Sequence, residues 1–255
     1  MINKIKNIFK MYSCLKLGSF SRFYILKYFV DKSDKEYIFH LRNGLQIKVI
    51  KKAGDLTTLF EIFVNEDYQF NKINKKNIKI LDIGANVGYF SLYTSQKFPD
   101  SEIFSFEPFP ETYERLQENL KLNNSVNIKT FQLAVSDFEG PAEFYSIDWA
   151  GCNTLVKDKF SEGFYKTTTV KTIPFKGISK LTGIEEFDYA KIDCEGSEYP
   201  IILNSPASAI RTVKKYVFEV HSDTNYGGDD LIKRLIELGY KTNFKDNILT
   251  AERID

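Results

Sequence analysis

Two stretches of the 255-residue chain concentrate groups that can move a proton. Lys191-Ile192-Asp193-Cys194-Glu195-Gly196-Ser197-Glu198 closes one apolar run, and Phe218-Glu219-Val220-His221 closes another. Alternate side chains of extended backbone face one way, so Asp193 pairs locally with Glu195 and Glu219 with His221. A histidine beside carboxylates is a candidate base: its ordinary pKa lies near working pH, and nearby negative charge raises its basicity. His221 takes that role here, with Asp193 and Glu195 as its catalytic neighbours and Glu219 facing the substrate. Asp193, Glu195, Glu219 and His221 are also a rival set of hard ligands for a divalent ion. No compact ligand spacing supports an ion, so a metal is not favoured. The other histidine, His40, reads as a plain strand residue.

A different kind of chemistry belongs to Leu81-Asp82-Ile83-Gly84-Ala85-Asn86-Val87-Gly88-Tyr89-Phe90-Ser91. This is a buried strand that turns at glycine and opens a helix, leaving helix N–H groups free to face a ligand. Glu107 stands 23 residues after Gly84 and ends the next apolar run, where an acid takes both ribose hydroxyls. Pro108 holds Glu107 extended and stops the strand behind it. Nicotinamide dinucleotides prefer three glycines, whereas this loop reads Gly-x-x-x-Gly after Asp82. An aspartate there repels a pyrophosphate and suits the amino group and sulfonium of S-adenosylmethionine. The expected cofactor is therefore S-adenosylmethionine, with Asp82, Gly84, Asn86 and Gly88 around its methionine end and Glu107 at the ribose. Ser136 or Asp137 would meet the adenine; an Asx turn into Glu139-Gly140 explains the same residues equally well. An NAD-dependent oxidoreductase and a non-catalytic binding module remain as alternatives on the same fold.

Methyl transfer from sulfur is an in-line displacement that needs an aligned acceptor and a group to remove its proton. The Asn-Pro-Pro-Tyr and Asp-Pro-Pro-Tyr tetrapeptides of base-amino methylation are missing from the strand end that carries Asp-Cys-Glu-Gly, which points to a hydroxyl acceptor.

The elements that must position these groups follow from periodicity. Strands are expected at Ile78–Ile83, Ile103–Phe106, Ile128–Val135, Phe187–Asp193 and Lys215–His221, with helices at about 88–97 and 111–122. The alternation implies an α/β fold with a Rossmann-like, seven-stranded, mostly parallel sheet. A hairpin over Tyr240–Phe244 and Ile248–Ala251 closes it, and Ala142–Ile147 and Thr167–Ile173 are extra strands. The loop Asp148–Leu155 is the candidate acceptor lid, with Trp149 and Asn153 as substrate contacts; plain core packing explains Trp149 equally well. Residues 1–75 read as an accessory segment of helix, hairpin and helix, ahead of the main domain at 76–255. Its first helix spans residues 1–30, its hairpin turns at Arg42-Asn43-Gly44, and Asp55 caps its last helix.

These motifs resemble the FkbM family of S-adenosylmethionine-dependent methyltransferases. The resemblance rests on Asp82–Ser91, Glu107-Pro108, Ala134–Asp137, Lys191–Glu198 and Glu219–His221. It covers residues 78–222 well and 36–70 loosely, and Asp193–Glu198 is its family-specific part. It implies a class I methyltransferase fold and O-methylation of a sugar or of another small-molecule or glycan hydroxyl. Cys194 stands where a small aliphatic residue is expected, and a buried thiol fills that space.

Composition narrows the partners. Hydrophobic residues are 43% and charged residues 27%, an ordinary globular mix. Lys4, Lys6, Lys10, Lys16, Arg22 and Lys27 precede the first acid, Asp31; setting these six aside leaves 29 basic against 34 acidic residues, or −5. A net-acidic body argues against nucleic acid as partner. The basic first helix docks on the domain behind it or contacts an anionic membrane surface. No apolar run approaches the ~20 residues of a membrane span. Three scattered cysteines, Cys14, Cys152 and Cys194, read as reduced thiols of a cytoplasmic protein.

Overall fold

A computed structural model describes residues 2–28, 35–51, 53–65, 68, 76–146, 154–155, 165–221 and 225–254, with side chains from residue 6 onward. The chain opens with α1 (Ile2–Cys14), α2 (Leu17–Tyr28), the hairpin β1 (Glu36–His40) and β2 (Gln46–Ile50), and α3 (Asp55–Phe60). Next come β3 (Lys79–Ile83), α4 (Tyr89–Lys97), β4 (Glu102–Phe106), α5 (Pro110–Leu122) and β5 (Ile128–Phe131). Three strands leave that rhythm: β6 (Ala134–Ser136), β7 (Gly140–Ser146) and β8 (Lys166–Pro174). Then α6 (Ile178–Thr182), β9 (Tyr189–Ile192), α7 (Glu198–Asn204), α8 (Ala207–Ile210), β10 (Lys215–Glu219), α9 (Gly228–Glu237), β11 (Tyr240–Lys245) and β12 (Ile248–Arg253) complete the described chain.

Seven strands form one sheet in the order β11-β12-β10-β9-β3-β4-β5. Neighbours from β10 to β5 run parallel and a hairpin closes the sheet, as the sequence predicts, with β12 lying antiparallel between β10 and β11. The central strand β3 is buried on both faces, which its unbroken apolar run requires. Its carboxyl end therefore meets those of β4, β9 and β10 at one rim, where open α/β sheets bind ligands.

Three expectations need correction. Residues 1–30 hold two helices, because Leu15 leaves the first to bridge Leu41 of the hairpin region. The strand expected over Ile128–Val135 is two strands: β5 ends at Phe131, and β6 pairs with β8 in a separate β6-β8-β7 sheet. Ala134–Ser136 become fully buried there, which the half-exposed edge at β5 does not offer. Asp55 does not cap α3. Gly54 holds the cap position, while the Asp55 carboxylate accepts the Ile50 N–H at 2.6 Å and pairs with Arg115.

The alternation of β3 divides the apolar interior. Ile80 packs with Tyr89, Phe90 and Leu116 on one face, and Leu81 and Ile83 pack with Phe104, Phe218 and Leu235 on the other. Met11, Leu15, Phe39, Ile47 and Leu59 belong to the first cluster. Residues on both sides of the expected 75/76 boundary thus fill one core.

Candidate active site

The glycine loop is shaped first by its neighbours. Gly84 has φ 75°, and a Cβ there would lie 1.7 Å from the Asp193 carbonyl oxygen. Only glycine lets β3 and β9 end this close together. Gly88, at φ 82°, precedes α4 and packs against Leu116; it does not line the cleft. Both Gly84 and Ala85 donate their N–H groups to the Phe106 carbonyl, at 3.0 and 2.9 Å, tying the loop to β4.

Glu107 follows at the end of β4. Its carboxylate accepts the N–H of Asn86 at 2.8 Å and of Phe109 at 3.0 Å, so it is locked against the loop. Burial pushes its pKa up to about 7, against the pull of those two amides. Glu107, Gly84 and Asn86 line the cleft together, as the sequence reading expects.

Asp82 departs from expectation. Its side chain is wholly buried beneath the loop, 2.6 Å from Ser91 Oγ, and not on the cleft wall. Its partner is Lys191, whose buried ammonium lies 3.4 Å from Asp82, 3.2 Å from Asp193 and 2.8 Å from the Gly84 carbonyl. Burial disfavours charge on Lys191, but Asp193 and Asp82 outweigh it and raise its pKa. Asp82 is thus the counter-ion of a structural lysine, because a strand buried on both faces gives its carboxylate no route to solvent.

The adenine candidates also turn away. Ser136 donates to Asp137 at 3.1 Å, and Asn204 donates to Asp137 at 2.8 Å; Leu133, Ala134 and Val135 line the cleft instead. Trp149, Asn153 and most of the expected lid lie outside the described residues; Leu155, at its end, lines the cleft.

At the other end of the rim the four predicted groups do converge. Nε2 of His221 lies 3.5 Å from Glu195, 3.9 Å from Asp193 and 4.0 Å from Glu219. Its Nδ1 lies 3.0 Å from Glu198, a fully buried carboxylate that also accepts the N–H groups of Cys194 at 3.0 Å and Gly196 at 2.7 Å. This arrangement fixes the ring and turns Nε2 toward the three carboxylates. Burial disfavours the imidazolium, but Glu198, Glu195 and Asp193 outweigh it and raise the pKa to about 9. The expected neutral base is therefore a cation at neutral pH in the protein without cofactor. Burial likewise opposes charge on Asp193, yet Lys191 and His221 hold it below the usual carboxylate range; burial and Asp193 push Glu219 up.

Asp193, Glu195 and Glu219 line the cleft, while His221 stands behind them. Asp193, Glu219 and His221 each offer a ligand atom within 4.8 Å of the others, so three residues of the rival, unfavoured metal set could hold a divalent ion, and Glu195 is outside that group.

Three further residues escaped the sequence reading. Tyr68 is buried, and its hydroxyl lies 3.0 Å from Asp193 and 3.0 Å from Glu219, bridging two carboxylates from different strands. Nothing in its local pattern marks it. Lys191 carried a signal, since a charge inside an apolar run must be paired when buried, whereas Glu198 stands among polar residues and carried none.

One cleft of about 1130 Å³ takes in Gly84, Asn86, Glu107, Asp193, Glu195 and Glu219. Phe23, Lys27 and Phe60 of the first 65 residues form part of its wall, beside Glu107 and Asp193 of the sheet rim.

Comparison with known proteins gives the family and the fold. The methyltransferase FkbM domain matches residues 82–242, more than half of the chain. The chain is 29% identical over 187 residues to methyltransferase sdnD of Sordaria araneosa, covering 62% of this chain and 72% of that one. It is 30% identical over 218 residues to 31-O-demethyl-FK506 methyltransferase FkbM of Streptomyces tacrolimicus, covering 74% and 83%. Among solved structures, methyltransferase FkbM from Methylobacillus flagellatus superposes with a TM-score of 0.51 at 16% identity, over 72% of this chain and 46% of that one.

Proposed function

The chain belongs to the FkbM family of methyltransferases, whose cofactor is S-adenosylmethionine, and from that premise we propose that it methylates a hydroxyl of a sugar or of another small-molecule or glycan acceptor. The observation that carries the proposal is the convergence of Asp193, Glu195, Glu219 and His221 in the cleft region that also holds Gly84 and Glu107. A hydroxyl needs its proton taken as the methyl arrives, and this cluster is built to receive one. The relative's name, 31-O-demethyl-FK506 methyltransferase, supports an oxygen acceptor. The net-acidic body favours a small acceptor over a nucleic acid.

In this reading Glu107 receives the ribose hydroxyls, and the Gly84–Asn86 backbone borders the methionine end. Asp193, Glu195 and Glu219 hold the acceptor hydroxyl in line with the sulfonium. Bound there, S-adenosylmethionine would supply the methyl group to the acceptor oxygen, its sulfur keeping the electron pair of the broken bond. The hydroxyl proton passes to His221 Nε2 by way of the carboxylates that face it. Positive charge on the bound sulfonium favours the neutral imidazole by repulsion, which prepares His221 to accept. A divalent ion on Asp193, Glu219 and His221 would polarise the acceptor hydroxyl; the side chains fit one, and the proton path above does not depend on it.

The test screens extracted glycans and lipids with a radiolabelled methyl donor and then compares wild type with His221→Ala. The expected results are turnover on a hydroxylated acceptor and a loss of about 10³-fold in kcat for the variant, with S-adenosylhomocysteine affinity unchanged. Cofactor binding with no turnover on any acceptor would leave a binding module instead.

A further inference from the structure

The first two helices present a surface that the methyl-transfer reading does not use. Among the described residues, six of the fourteen exposed large hydrophobics lie on α1 and α2: Ile8, Phe9, Tyr12, Leu17, Ile25 and Tyr28. Four of them are more than half exposed, Phe9 at 68%, Leu17 at 64%, Ile25 at 56% and Tyr28 at 71%. The other eight are spread over residues 38–254. On α1, Ile8, Phe9 and Tyr12 share one side, while Met11 and then Leu15 turn into the core. On α2, Leu17, Ile25 and Tyr28 share the outward side, while Phe23 and Leu26 are buried. Both helices are thus anchored through one face and still expose a second apolar face.

The charge on that surface has one sign. Residues 1–30 carry six basic residues and no acid, against −5 for the remainder. Lys6, Lys10 and Lys16 are exposed beside the apolar side chains. A two-fold pairing of this face with a second copy would set the two basic sets against each other, at a cost in repulsion. An anionic bilayer satisfies both halves of the pattern, taking the rings between its headgroups and neutralising the lysines. At 13 and 12 residues, α1 and α2 are too short to span the ~30 Å hydrocarbon core, so they lie along the surface.

We propose that α1 and α2 dock this protein on an anionic lipid surface through Phe9, Leu17, Ile25 and Tyr28 and the lysines between them. The same α2 lends Phe23 and Lys27 to the cleft wall.

Flotation of the full chain with vesicles tests this without any need for turnover. Vesicles of phosphatidylcholine with about one third phosphatidylglycerol should bind it at least about tenfold more strongly than phosphatidylcholine alone, and added salt should weaken the difference. Lys6→Glu, Lys10→Glu and Lys16→Glu together should abolish the preference, and Phe9→Ser with Tyr28→Ser should remove the binding that survives salt. S-adenosylhomocysteine affinity should stay within about twofold in both variants, showing that fold and cleft are intact. Equal binding to the two vesicle types, or unchanged binding by the charge-reversed variant, would overturn the proposal. So would a wild-type dimer in light scattering that Phe9→Ser with Tyr28→Ser dissolves, because a second copy would then cover the face.

Discussion

The two ends of the cleft are built from different materials. Around Gly84 and Glu107 the contacts run through backbone: the Gly84 and Ala85 N–H groups on the Phe106 carbonyl, and the Asn86 and Phe109 N–H groups on the Glu107 carboxylate. Around His221 they run between side chains from three separate segments, Tyr68, Asp193–Glu198 and Glu219–His221. A backbone cradle tolerates little change in shape. A side-chain cluster can be retuned in charge while the fold stands.

The largest effect should come from testing that contrast at Gly84. Gly84→Ala drives a methyl group into the Asp193 carbonyl and forces a strained φ, so it should cost about 4 kcal/mol or more and lower the melting temperature by about ten degrees. Thermal denaturation with little change would show that the two strand ends are looser than described.

Tyr68→Phe probes the opposite end. It keeps the ring against Phe90 and removes only the hydroxyl between Asp193 and Glu219. The expected result is a 10- to 100-fold loss in kcat, with S-adenosylmethionine affinity and melting temperature nearly unchanged (about 1–3 kcal/mol in the barrier). A fall in melting temperature with full kcat would make Tyr68 a packing residue.

The pH profile separates the two ends by direction. With His221 at about 9 in the free protein and needed neutral, kcat/KM should climb about tenfold per pH unit from 7 and level off near 9. The His221→Ala variant should lose that slope. The same shift bears on stability with the opposite sense: His221 is raised above its unfolded value of about 6.5, so its contribution is complete below pH 6.5 and is lost as pH rises through 9. Denaturant midpoints across that window check it.

Glu107 should give the smallest change. With its pKa near 7, S-adenosylhomocysteine affinity should weaken as pH falls below 7, because a protonated carboxyl accepts fewer hydrogen bonds. Glu107→Gln should lower affinity by about tenfold and flatten that dependence, as calorimetry would record.

The same contrast explains what the sequence could reveal. The alternating strands and helices, the terminal hairpin and the Gly84–Glu107 pairing follow from apolar runs and turn residues, which are local signals. The convergence of Asp193, Glu195, Glu219 and His221 followed from one general rule about strand ends. Tyr68 could not be found that way, since it reaches the cluster from a segment outside the matched domain. Asp82 was misplaced because its charge suggested a ligand, while full burial made it a counter-ion for Lys191. Ser136 and Asp137 were misplaced because the expected third strand splits, and the second piece joins another sheet.

The interior shared by Met11, Leu15, Phe39 and Leu59 with Ile80 and Phe90 limits how this enzyme can be re-engineered. A chimera that swaps the opening 65 residues for those of a relative, in the hope of importing its taste in acceptors, would also remove part of the apolar cover on one side of the sheet. Such a graft can succeed only if the apolar contacts beneath it travel with it.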